Sequence, residues 1–173
     1  MPVGNLEFIK SASGTSVTFI DVTDLFSADY DVYFWTVTKA TVSGADNMEI
    51  NVLDSTNTVI TDLEYDWASL NMFANISFTE SKNTNRPKVD VYGRYSGTAS
   101  KNTGVSGYIF NPYNSSSYTF GTVQVAGWDD AQGYLKGSKS IWVHKVAEQI
   151  NGIRLSAQGK TFSPIEVSIF GVK

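Results

Sequence analysis

The amino-acid sequence predicts an all-β chain, a two-sheet antiparallel β-sandwich that is jelly-roll-like in its winding. Three observations carry that expectation. Apolar residues recur with a period of two in about ten short runs, which marks half-buried strands. Clusters of Gly, Asn, Asp and Ser punctuate these runs about every 8 to 14 residues. No segment sustains a 3.6-residue period for three turns, and the nearest approach to a helix is residues 144–150. An immunoglobulin-like sandwich fits less well, because the chain is long for one and has no cysteines.

The elements follow in order. Residues 6–10 and 17–22 read as short strands separated by a turn at Gly14. Asp29 and Asp31 are turn formers that lead into the most apolar strand, Val32–Val42. There Val32, Phe34, Thr36 and Thr38 alternate with Tyr33, Trp35, Val37 and Lys39, so both faces begin with aromatics. Such a strand is either enclosed within the fold or packed on a partner subunit. Tyr33, Phe34 and Trp35 are therefore interface candidates. Residues 48–53 alternate again, turn at 54–57 and return at 58–63. Glu64-Tyr65-Asp66-Trp67 places two aromatics on one side and two carboxylates on the other. Residues 72–78 and 89–95 read as strands flanking a polar loop at 79–88, where Lys82, Arg86 and Lys88 surround Pro87. Residues 104–110, 118–125 and 139–146 are further strands, with a turn at 127–133. On the last of these strands Ile141 and Val143 oppose Trp142, His144 and Val146, which makes Trp142 and His144 packing or interface candidates.

The final stretch, 150–173, holds two alternating runs around a polar turn and reads as a terminal hairpin. Ile165, Val167 and Ile169 share one face of the second run. Phe170 and Val172 fall on its otherwise polar face, so Phe170 is expected to meet something apolar.

At 173 residues the chain is expected to form a single β-sandwich domain over 1–173. A chain of this length buries roughly 70% of its unfolded surface, enough for a core without disulfide staples. The absence of cysteine excludes thiolate chemistry and cysteine metal sites. Charged residues are only 17% of the chain and the net charge is -4, so nothing electrostatic favours nucleic acid or anionic membranes as partners. No apolar run approaches the roughly 20 residues of a membrane-spanning helix, and the N-terminus lacks the basic and apolar regions of a signal peptide.

Catalytic chemistry finds little support. His144 is the single histidine, it lies mid-strand, and no G-x-S-x-G elbow accompanies it. Imidazole metal sites in most cases use more than one histidine, so no metal or other cofactor is expected. Glu64 with Asp66, or Asp129 with Asp130, could supply the paired carboxylates of a glycosidase. Solvated strand-edge charge is the simpler reading, and the chain is not expected to be an enzyme. Asp29, Asp31 and Asp54 match no calcium-loop pattern. Loop aromatics are better binding candidates. Trp67, Trp128, Tyr113, Tyr118 and Tyr134 lie in or beside loops rich in Ser, Asn and Gly, where they would stack on sugars, cap the sandwich or sit in subunit contacts.

Several motifs carry a resemblance. G-I-R-L at 152–155 and S-P-I-E-V-S-I-F-G-V-K at 163–173 resemble the C-terminal signature of small structural proteins of tailed, especially marine, bacteriophages. F-S-A-D-Y-D-V-Y at 26–33, E-Y-D-W at 64–67 and Y-I-F-N-P-Y-N-S-S-S-Y-T at 108–119 resemble further blocks of that family, in the same order. The resemblance implies a virion structural protein, made in the host cytoplasm and located on the capsid surface or tail. It implies a decoration, cement or fibre-type module that assembles with itself, as a trimer, and with major capsid or tail proteins. The alternative is a tail-associated module that binds a receptor or host surface glycan through its loop aromatics.

Overall fold

The computed structural model describes residues 5–44, 46–95, 97–98 and 101–173. Among the described residues twelve strands form two antiparallel sheets packed as a sandwich: β1 (Leu6–Gly14), β2 (Phe19–Val22), β3 (Val32–Val42), β4 (Asp46–Asp54), β5 (Tyr65–Phe73), β6 (Thr79–Arg86), β7 (Val89–Tyr95), β8 (Gly104–Phe110), β9 (Thr119–Asp129), β10 (Tyr134–His144), β11 (Ile150–Ser156) and β12 (Phe162–Val172). The larger sheet has the order β1-β12-β3-β8-β9-β10-β5-β6 and the smaller β2-β11-β4-β7. The chain changes sheet at nearly every connection. Only β5–β6 and the β8–β9–β10 meander stay in one sheet. That winding is a jelly roll, with β1-β12-β3-β8 and β2-β11-β4-β7 as its two four-stranded sheets and the first widened by β9, β10, β5 and β6. Among the described residues no helix is long and apolar enough to cross a membrane.

Alternation decides what enters the core. Tyr33, Trp35 and Val37 of β3 are buried, as are Ile165, Val167 and Ile169 of β12 and Ile150, Ile153 and Leu155 of β11. Trp35 lies across from Gly107 in the β3–β8 register, and Trp142 across from Gly121 in the β9–β10 register. Each indole fills the space over a glycine. A Cβ at Gly121 would come within 2.2 Å of the Trp142 ring. Gly121→Ala therefore forces the indole out of its rotamer, and we expect it to cost about 1–3 kcal/mol as an overpacking change. A urea midpoint unchanged from wild type would contradict this packing.

Several sequence expectations change. β11 and β12 do not form a hairpin. β11 pairs with β2 and β4 in the small sheet, and β12 with β1 and β3 in the large one, so residues 157–161 carry the chain from one sheet to the other. Alternation encodes which face is apolar, not which strand is the neighbour. Residues 79–86 form edge strand β6 rather than a loop. Residues 65–73, not 72–78, make the strand before it. Residues 58–63 contribute a single bridge, Leu53 to Val59, instead of a returning strand. Residues 145–149 are a connection without helix.

Candidate functional site

The two outer faces differ in kind. On the small sheet the outward side chains bond to one another. Arg154 forms a two-pronged ion pair with Asp21, at 2.7 Å for both Nε and Nη2, and lies 3.8 Å above the Phe19 ring. Buried Glu49 accepts from Ser156 Oγ at 2.9 Å and ion-pairs with Lys88. That face is polar and, apart from a buried Asp90 Oδ1 without a hydrogen-bond partner, largely satisfied.

The outer face of the large sheet is apolar along one row that crosses all eight strands. In register the row runs Phe8, Phe170, Phe34, Tyr108, Thr122, Ile141, Ala68 and Lys82. Neighbouring rings touch along it. Phe8 meets Phe170 edge-on at 5.8 Å, Phe170 meets Phe34 at 6.1 Å, and Phe34 meets Tyr108 at 5.1 Å. A second row adds Val32, Phe110, Phe120 and Val143. Phe8 is 59% exposed, Tyr108 41%, Phe120 45%, Ile141 63% and Leu70 43%. At roughly 200 Å² per large side chain these five alone leave on the order of 500 Å² of apolar surface in water. The half-buried Phe34, Phe110, Phe170 and Val143 enlarge the patch beyond the 300–600 Å² typical of the largest patch on a monomer.

Small side chains indent this face. Ala68 and Thr122 form the floor between larger neighbours, and two adjoining depressions of about 650 Å³ and 790 Å³ result. The first is bordered by Tyr108, Ile141 and Leu70 together with Glu80, Gln124 and Lys139. The second has Phe110, Phe120 and Val143 on its walls, beside Asp66. Asp66 is occupied: Lys145 Nζ lies 2.8 Å from its Oδ1, and the Asn85 backbone N–H donates to it at 2.8 Å. The hydrogen bond from Lys145 holds the Asp66 carboxyl below its ordinary range.

The structure divides the sequence candidates. Phe34 and Phe170 stand on the outer face. Tyr33, Trp35, Trp142 and His144 do not, because each is buried between the sheets, where it is out of reach of a partner subunit. Trp67 is likewise buried and offers no platform for a sugar. Trp128 is half-buried under Lys101, whose Nζ is 5.4 Å from the ring. Tyr134 is half-buried against Phe73 at 6.0 Å. Tyr113 and Tyr118 are exposed on the 111–118 loop. The structure adds Phe8, Tyr108, Phe110, Phe120 and Ile141. Their sequence signal is a large apolar residue on both phases of one strand, as in Tyr108-Ile109-Phe110 and Ile141-Trp142-Val143.

Each carboxylate of the two sequence pairs has its own partner. Glu64 turns to His144, at 3.0 Å, while Asp66 turns to Lys145. Asp129 accepts from the backbone N–H groups of Ala131 and Gln132, and Asp130 faces Lys101 at 2.9 Å. Burial pushes the Glu148 carboxyl up, His144 pulls it down, and Glu64, Asp54 and Asp62 add to the upward push.

No protein-family model matches the chain, and no curated protein matches it. A solved structure to which it is similar is the CBM2 module of the evolved Dit of Lactobacillus casei BL23 phage J-1. The two are 9% identical, the match covers 94% of this chain and 70% of that chain, and the TM-score is 0.27. A similarity at that level carries neither fold nor function across, so the two outer faces themselves bear the functional reading.

Proposed function

We propose that this chain is a non-catalytic assembly module, a virion structural protein that forms a homo-oligomer through the outer face of its large sheet. The observation that carries the reading is the row from Phe8 to Ile141 on the outside of a single protomer, ring against ring from Phe8 to Tyr108. A standard interface covers about 800 Å² per partner, and the five exposed side chains named above supply on the order of 500 Å² of it. A second copy of the chain is the occupant that fits, because the face is apolar at its centre and carries both signs of charge, Glu80 and Lys82, at its β6 edge. The trimer of the sequence reading requires two different parts of this face, one against each neighbour, because a patch that meets only itself closes a two-fold dimer. The motif resemblance supports a place on the capsid surface or tail, with major capsid or tail proteins as further partners. Gold-labelled antibody against the protein is expected to decorate intact virions, and virions left bare would count against that placement.

A second reading has one observation in its favour. The depression beside Tyr108 is lined by Glu80, Gln124 and Lys139, polar groups next to an aromatic ring, which suits a host surface glycan. Under this reading Tyr108→Ala and Gln124→Ala abolish signal on a glycan array. An array without signal for the unaltered protein removes it.

A further inference from the structure

We propose that Glu64, His144 and Glu148 form a structural binding site for a first-row divalent metal ion of the zinc or manganese class. His144 ends β10, Glu148 lies four residues on in the 145–149 connection, and Glu64 comes from the segment before β5. The Lys145 backbone N–H donates to the Glu64 carbonyl at 2.9 Å and fixes these segments side by side. One ligand atom from each residue lies within 4.8 Å of the others. His144 Nε2 is 3.0 Å from Glu64 Oε2 and 3.6 Å from Glu148 Oε1.

Both carboxylates converge on the same imidazole nitrogen. One N–H bonds a single carboxylate, and it is spent on Glu64, so the approach of Glu148 is left without a proton to share. A metal ion satisfies all three. Metal–nitrogen and metal–oxygen bonds of about 2.0–2.2 Å set ligand atoms roughly 3 to 3.5 Å apart, and the two histidine–carboxylate separations already match. The third closes by rotation of the glutamate side chains. One imidazole with two carboxylates suits zinc or manganese, whereas calcium prefers an all-oxygen shell.

The surroundings agree. Among the described residues neither glutamate has a lysine or arginine partner, Lys145 being turned to Asp66, and Asp54 and Asp62 add negative field. His144 is fully buried, so bulk water does not compete for its Nε2. Glu64 and Glu148 are each about one-third exposed, which leaves an entry path and room for water ligands. The sequence hid this site because Glu64 lies 80 residues from His144.

Titration of EDTA-treated protein with ZnCl₂, MnCl₂ and CaCl₂ tests the site, read by calorimetry and thermal unfolding. We expect one equivalent of Zn²⁺ or Mn²⁺ to bind saturably and raise Tm, with Ca²⁺ weaker. Glu148→Gln, a near-isosteric change at a partly exposed position, is expected to weaken that binding at least about ten-fold, since even outer-shell changes cost that much. Its Tm in EDTA is expected not to fall. No saturable binding, tighter Ca²⁺ than Zn²⁺, or Zn²⁺ binding undiminished in both Glu64→Gln and Glu148→Gln overturns the proposal and leaves a histidine–glutamate contact alone.

Discussion

Trp35→Ala is expected to lower folding stability by about 3–5 kcal/mol, whereas Phe34→Ala, one residue away, is expected to cost about 1 kcal/mol in the isolated protomer. The contrast follows from strand phase. Trp35 is fully buried, pairs in register with Ile169 and covers Gly107, where an added Cβ would stand 2.7 Å from its Nε1. Truncation leaves a cavity in a core that both sheets hold in place, and neither can collapse into it. Phe34 sits on the other side of the strand and loses its ring contacts with Tyr108 and Phe170 alone. Guanidinium unfolding at low protein concentration measures both. Equal losses, or a larger loss at Phe34, would put the wrong face of β3 inside.

Phe34→Asp combined with Tyr108→Asp is expected to weaken self-association by at least about 100-fold while the protomer stays folded. These two rings stand at the centre of the aromatic row, where a few residues dominate interface energy. Each substitution removes apolar area and also places an unpaired carboxylate where a partner must exclude water, and the second effect exceeds the first. Sedimentation velocity reads the loss, and far-ultraviolet circular dichroism shows whether the sheets persist. Unchanged association with an intact fold would move the contact off this face. Arg154→Ala with Asp21→Ala on the small sheet is the matched control, since these two side chains satisfy each other within the protomer.

The elements legible in the sequence are those with an apolar period. Val32–Val42 and Gly104–Phe110 have the bounds that alternation assigns them. β6 was invisible because T-E-S-K-N-T-N-R contains no apolar residue, and an edge strand that buries nothing needs none. The parting of β11 and β12 into different sheets was equally hidden, since a half-buried strand looks the same whichever neighbour it has. Choosing between the two faces of β3, β8 and β10 was the step that sequence could not take. Both phases of these strands are apolar, one because it fills the core and the other because it forms the outer row. For the same reason Tyr33, Trp35 and Trp142 read as surface candidates, whereas Trp67 did so as an aromatic in or beside a polar loop, and Tyr108 and Phe120 passed unnoticed.

Light scattering coupled to size-exclusion chromatography, on the unaltered protein at micromolar concentration, tests the assembly reading most directly. We expect a single species whose mass is a whole multiple of the 19.0 kDa protomer, with the trimer as the predicted order. A monodisperse monomer that persists as concentration rises would contradict self-assembly through the aromatic row.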